Sequence, residues 1–221
     1  VFVKARPYCE GDVTMLRIEG LRFSWGEELH FTYDLSVARG EILAVQGPSG
    51  VGKTTLLELI AGFQAPTAGS LGWDGDDLRP LPPWQRPVTT VFQTDNLFAH
   101  LSCLDNVVIG LGPEEKVTPA CLAKIHEFFV QLGLEGLQHR MPSQISGGQQ
   151  QRVALVRALI RARPILLLDE SFSALDWEMR KECFDALKDV VTSHHMAAVL
   201  VSHDTRDSAY LGCRELRLAA G

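Results

Sequence analysis

At 221 residues, 46% hydrophobic and 22% charged with a net charge of -6, the chain has an ordinary globular composition, suits one domain, and lacks the basic run of a dedicated nucleic-acid binder. No stretch approaches the ~18 apolar residues of a transmembrane helix, and no signal-peptide core opens the chain. Five scattered cysteines and seven histidines without metal-ligand spacing fit reduced thiols and no structural metal, so the chain is expected to work inside the cell.

Residues 1–14 carry Pro7, Gly11 and several charges without a period. They are expected to form a mobile extension, with Met15 as the natural start. A strand opens at Met15. Further on, Leu29, Phe31, Tyr33, Leu35 and Val37 alternate with polar or small residues, which predicts a second strand with one face on a core. Between them lies the run FSWG, where Trp25 either packs as a core or turn aromatic or offers a π-face to a base, worth ~1–3 kcal/mol.

Residues 41–60, EILAVQGPSGVGKTTLLELI, organise the rest. A buried strand (Ile42, Leu43, Ala44, Val45) runs into a glycine-rich turn and then a helix with Leu56, Leu57, Leu59 and Ile60 on its apolar side. The turn matches G-x-x-x-x-G-K-[ST]. In the turn Gly47, Pro48, Ser49, Gly50, Val51, Gly52 the glycines let the backbone curl so that N–H groups converge on a phosphate chain, aided by the helix N-terminus that Lys53, Thr54 and Thr55 begin. Lys53 is expected on the β- and γ-phosphates and the Thr54 hydroxyl on Mg²⁺.

Leu71 to Trp73 then reads as a short strand, Asp74-Gly75 as a hairpin turn, and Pro80, Pro82, Pro83 and Pro87 as markers of a rigid surface loop. Val88 to Phe92 restores a strand ending in Gln93. The pattern is helical from 101 to 163, with an apolar segment at Leu104, Val107, Val108 and Ile109 and a helix over 118–132 closed by Gly133. ISGGQQQR then precedes a helix carrying Val153, Ala154, Val156, Leu159 and Ile160 up to Pro164. Ile165 to Leu168 is a fully buried strand whose end presents Asp169 and Glu170. A helix over 177–192, the strand 198–201, His203-Asp204 and a last helix and strand follow. Strands alternating with helices around a phosphate loop predict a mostly parallel α/β sheet with a helical insertion.

If the strand ending in Asp169 neighbours the loop strand, Asp169 is placed to hold the Mg²⁺ shell and Glu170 to polarise a water; the alternative is a pair of solvated acids. Ser146, Gly147 and Gly148 present N–H groups just before a helix, a second anion-binding terminus.

With these motifs in this order, the chain from Met15 to Gly221 resembles the ATPase subunits of ATP-binding cassette (ABC) transporters. That resemblance implies a P-loop NTPase, RecA-like sheet core (15–93 and 165–221), with an antiparallel β subdomain and an inserted helical subdomain (94–164). The first loop resembles the family's Walker A. Gln93 resembles the Q-loop, residues 145–149 the signature, residues 165–170 the Walker B, residues 173–176 the D-loop, and His203 the switch histidine. Trp25 sits where the family stacks adenine. Taken alone, Gln93 and His203 are ordinary surface residues. The resemblance assigns Gln93 to metal and water sensing, His203 to the γ-phosphate, and Asp176 to the interface of a head-to-tail dimer. In that dimer Ser146, Gly147, Gly148 and Gln149 of one copy meet the ATP of the other. Ile145 for leucine, Val156 for alanine and Ser171 for proline depart from the family pattern, and Ser171 is expected to loosen the link to the D-loop.

The resemblance further implies ATP and Mg²⁺ as cofactors, a polytopic transmembrane permease as partner, a periplasmic or extracellular substrate-binding protein indirectly, and no nucleic acid. It implies a peripheral position on the cytoplasmic face of the cell membrane. Residues 93–103, QTDNLFAHLSC, would line the groove for a short helix of the permease, with core packing as the alternative for Leu97 and Phe98. With Gly221 just after the final strand, the long relatives that carry a regulatory domain of ~100 residues are expected to be the poorer match. The runs LLELIAGFQAPTAGSL, RPVTTVFQTDNLFAHLS and RPILLLDESFSALD, with the ending at Cys213-Arg214, are similar to the ATPase subunits of bacterial thiamine importers. Thiamine or its phosphates is the expected cargo and another small nutrient or ion the alternative. A soluble ABC protein without a membrane partner, or a P-loop kinase or GTPase, fits the insertion length and motif set less well.

Overall fold

The computed structural model describes residues 15–26, 29–92, 97–111, 116–161 and 163–219. In the antiparallel sheet, β1 (Met15–Trp25) pairs with β2 (Leu29–Ala38) on one side and β4 (Ala68–Trp73) on the other, and a short β5 (Asp76–Asp77) closes the edge. The sequence reading put the FSWG run between two strands; the structure places Phe23 and Trp25 inside β1, paired with Phe31 and Leu29. The buried positions of β1 run Leu16, Ile18, then Leu21, Phe23, so the alternation slips by one residue. Gly20, at φ 52, absorbs that residue as a bulge where the register shifts.

The parallel sheet has the order β6 (Val88–Val91), β7 (Ile165–Asp169), β8 (Ala197–Val201), β3 (Ile42–Gln46), β9 (Arg214–Arg217). Strands β3, β7 and β8 are buried at every position because both faces of the sheet are covered. Ile165, Leu167, Val199 and Val201 pack with α1 (Lys53–Ala61) and the antiparallel sheet. Their alternates Leu166, Leu168, Ala198 and Leu200 pack with α4 (Gly147–Arg161) and α5 (Trp177–Ser193).

Helix α1 ends at Gly62, in the left-handed conformation at φ 89. The buried Arg86 guanidinium donates to the last-turn carbonyls of Leu59 (2.6 Å) and Ile60 (2.9 Å) and to Leu81 (2.9 Å). It satisfies orphan carbonyls of the helix end and anchors the proline-rich loop at once. In the insertion, Ser102 caps α2 (Cys103–Val108), and Thr118 caps α3 (Pro119–Gln131) with Pro119 at its first position. Gly133 follows α3 at φ 60 as expected. Phe129, Val153 and Leu159 of this helical segment join the same buried cluster as Leu166 and Leu168 of β7. The insertion therefore shares the core of the sheet. Helix α6 (Thr205–Leu211) leads from β8 to β9.

Candidate nucleotide-binding site

The loop between β3 and α1 is shaped by two glycines that no other residue could replace. A Cβ at Gly47 (φ 151) would stand 2.4 Å from the Leu218 carbonyl oxygen, and one at Gly52 (φ 96) 2.5 Å from the Tyr33 hydroxyl and 2.6 Å from the Phe31 ring. Tyr33 donates its hydroxyl to the Gly52 carbonyl at 2.8 Å. Burial, and then the nearby Glu58, raise its pKa, so it stays a donor. The alternation of β2 put Tyr33 on a buried face, but nothing local signals that this face backs the phosphate loop. Lys53, nearly fully buried, donates to the carbonyls of Gly47 and Pro48, both at 2.8 Å. Burial lowers its pKa, and the charges of Glu170 and Asp169 counter that shift. The ammonium thus lies over the concave side of its own loop.

Asp169 reaches this loop by a different route from the one expected. Strand β8 lies between β3 and β7. The parallel register nevertheless sets Val45, Val201 and Asp169 level, and α1 packs under β6, β7 and β8. Thr54 and Asp169 consequently line one small cavity, together with Leu57 and Glu58. Burial raises the Asp169 pKa, the nearby Thr54 hydroxyl opposes this, and the Glu170 charge adds to it. A carboxyl whose folded pKa lies above its unfolded value costs the fold stability once pH exceeds that window. Asp169→Asn, which removes the charge at little change in shape, is therefore expected to raise the metal-free melting temperature at neutral pH, by about 2–4 °C per kcal/mol for a chain of this size. A lowered melting temperature at pH 7 would contradict that electrostatic reading.

Glu170 follows in the left-handed region, φ 47. Its N–H donates to the Val201 carbonyl at 3.2 Å, and its carboxylate pairs with Nε2 of the half-exposed His203. Both line a cavity of about 390 Å³ with Ser173, Arg180, Asp204 and Asp207. The sequence reading missed Arg180. Its guanidinium contacts Asp204 at 3.3 Å, Asp207 at 3.1 Å and the Leu175 carbonyl at 3.3 Å, binding the segment before Asp176 to the segment after His203. Asp204 itself is held at about 2, first by its hydrogen bonds from Arg206.

Ser146 and Gln149 form a reciprocal cap at the start of α4. The Gln149 N–H donates to Ser146 Oγ at 3.2 Å, and the Ser146 N–H to Gln149 Oε1 at 2.9 Å. The Ser146 amide, expected to be available, is thereby occupied, and Gly147 lies within the first turn rather than before it. The amides of Gly147 and Gly148 retain the unpaired positions of a helix start. A Cβ at Gly148 would stand 3.0 Å from Leu175, so the 173–176 run packs behind this cap. Asp176 caps α5, accepting from the Met179 N–H at 2.9 Å.

Trp25 is 48% exposed and lies edge-on to Phe23 at 5.1 Å. Through the Phe23–Phe31 pair it shares the face that carries Phe31 and Tyr33 toward Gly52. Gln93 lies outside the described residues. The structure thus gathers residues 47–55, Asp169, Glu170 and His203. Among the described residues no hydrogen bond joins residues 146–149 to residues 47–55 of the same chain.

The sequence profile of the ABC transporter family matches residues 31–173. The chain is 44% identical over 207 residues to the thiamine import ATP-binding protein ThiQ of Shigella boydii serotype 4 (strain Sb227), and 43% identical to that of Escherichia coli (strain K12). Each alignment covers 94% of this chain and 89% of the relative. A solved structure, described as the dimeric structure of MJ0796, a bacterial ABC transporter cassette, aligns with a TM-score of 0.80 at 29% identity, covering 92% of this chain and 94% of that one. No helix among the described residues is long and apolar enough to cross a membrane.

Proposed function

The chain belongs to the ABC transporter family, and from that premise we propose that it is the ATP-hydrolysing subunit of an importer carrying thiamine or a phosphate of thiamine. The observation that carries the chemistry is the connected group of the glycine loop, Lys53, Thr54, Asp169, Glu170 and His203. The loop, too tight for any Cβ at Gly47 and Gly52, and the Lys53 ammonium fit the phosphates of ATP, with Trp25 against the base. Thr54 and Asp169, which line one small cavity, are oxygen donors suited to Mg²⁺, and Gln93 is assigned to the same shell. Bound there, the ion would neutralise charge on the phosphates. Glu170 takes the proton of the attacking water, and His203, bonded to that carboxylate, orients it.

One chain carries one phosphate loop and one 146–149 cap, and the two are not joined. Completion of the site by a second copy, head to tail, gives the exposed cap a ligand, with Asp176 at the shared interface. The dimeric neighbour supports this reading. Permease docking is assigned to the exposed aromatics Phe63, Phe92 and Phe98, the first two 6.0 Å apart. Phe98 is presented by the fully buried Asn106. That side chain accepts from the Phe98 N–H at 2.8 Å and donates to the carbonyls of Phe98 (3.1 Å), Leu101 (3.0 Å) and Ser102 (3.0 Å). Leu97 instead packs on the core, so Phe98 rather than Leu97 is the docking side chain. The subunit then sits on the cytoplasmic face of the membrane and meets a substrate-binding protein only through the permease.

The cargo is tested by uptake of labelled thiamine in cells lacking this gene and any second thiamine transporter. The wild-type gene is expected to restore uptake, whereas Lys53→Ala and Phe98→Asp copies leave it at background. Unchanged uptake without the gene would end the thiamine reading and leave the ATPase reading standing.

A further inference from the structure

The place of the His203 ring is set by the backbone on either side of it. His203 comes just after β8, and its half-exposed ring meets Glu170 through Nε2. The chain closes into a small turn around it. The Asp204 N–H donates to Ser202 Oγ at 3.0 Å, across His203. That hydroxyl in turn donates to the buried Asp207 carboxylate at 2.5 Å.

Both ends of the turn converge on Arg180, in the first turn of α5. Its Nη1 donates to the carboxylates of Asp204 and Asp207, and its Nη2 to the Leu175 carbonyl. One guanidinium therefore holds both neighbours of His203, Asp204 directly and Ser202 through Asp207. It also grips the residue before Asp176. Such a cluster is a weak source of stability, because a buried ion pair seldom outdoes well-packed apolar side chains. The Nε of Arg180 is moreover buried without a hydrogen-bond partner among the described residues, which adds to the cost. What the planar fork does supply is a fixed relation among three acceptors drawn from two separate segments.

We propose that Arg180 is a positioning residue for His203: it fixes the turn around the ring by holding Asp204 and, through Asp207, Ser202, and it ties that turn to the run ending at Asp176. The proposal rests on the reading of His203 as the partner of the base Glu170. A second copy that engages Asp176 then bears on His203 through a single side chain.

The experiment measures kcat and KM for MgATP at protein concentrations where the rate per chain has stopped rising, with urea midpoints alongside. It compares the wild-type chain with Arg180→Lys, with the pair Arg180→Met/Asp207→Asn, with His203→Ala, and with the pair in the His203→Ala background. Arg180→Lys keeps a charge for Asp204 and Asp207, but an ammonium does not hold three acceptors in one plane. The pair removes both buried charges at once, so neither is left unpaired and the fold is kept. Each is expected to lower kcat about tenfold, less than the ~10²-fold loss of a group displaced by a full ångström. KM should be unchanged, because residues 47–55 are untouched. In the His203→Ala background the pair should add nothing, as expected for groups acting through one another. Wild-type kcat in Arg180→Lys and in the stably folded pair, beside a slow His203→Ala, would overturn the proposal alone. An equal loss with His203 present or removed would overturn it too, since the guanidinium would then act elsewhere. Near-normal turnover by His203→Ala would take His203 out of the reaction, and the proposal with it.

Discussion

Glu170→Gln is expected to bind MgATP and to hydrolyse it at least ~10²-fold more slowly than the wild-type chain, the usual scale for losing a general base. The amide is isosteric with the carboxylate and can still meet the His203 ring, so the side chain should keep its place at the mouth of the cavity. The backbone restraints on residue 170, from Val201 and Ser173, do not involve the side chain and survive the change. What is lost is the capacity to take a proton from water. Because Glu170 and His203 are bonded to each other, His203→Ala in the Glu170→Gln background should cost little more, as for residues that act as a unit. Phosphate release at saturating MgATP, with nucleotide binding measured in parallel, checks the prediction. Turnover within a few-fold of wild type would remove Glu170 from the base role.

The second large effect is on assembly. Glu170→Gln with ATP is expected to form a stable dimer holding two nucleotides, and adding Ser146→Arg should return it to a monomer that still binds ATP. Ser146 is exposed, and its structural duty within the chain is the reciprocal cap with Gln149. Losing that cap costs about 1 kcal/mol, too little to unfold a domain of ordinary stability. The long cation, however, would stand over the Gly147 and Gly148 amides that the second copy's nucleotide must approach. Sedimentation of the two variants with ATP decides the matter, and an unchanged dimer in Ser146→Arg would refute the shared site. The permease surface is separate from this one, since Phe98 is carried by the Asn106-bound segment ahead of α2.

Several features of this protein were legible in the residues alone because each follows from a local constraint. The strand–glycine loop–helix unit at 41–60 is readable because positive φ and close approach admit only glycine at Gly47 and Gly52. The aliphatic run before Asp169 signals a strand covered on both faces. Thr118, Pro119 and Gly133 bracket α3 by the chemistry of helix ends. Even the departure at Ser171 was visible, though only as a missing proline.

What the tertiary structure alone decided are contacts between residues far apart in the chain. Strand order put β8 between β3 and β7, so Thr54 and Asp169 come to one cavity because α1 packs across β6, β7 and β8 rather than through neighbouring strands. Tyr33 became a buttress of the phosphate loop, Arg86 the cap of α1, and Arg180 the link between the segments holding Asp176 and His203. Arg214, part of an ending that resembles thiamine importers, pairs with Glu41 at 2.8 Å and with the Ser36 carbonyl, clasping β9 to the turn between β2 and β3. No periodicity encodes such partners. A hydroxyl or guanidinium carries no local mark of the carbonyl it will reach, which depends on how the sheet is ordered and which helix crosses beneath it. The left-handed backbone of Glu170 belongs to the same class: its N–H is bound to the Val201 carbonyl, a partner it meets only once β7 and β8 lie side by side.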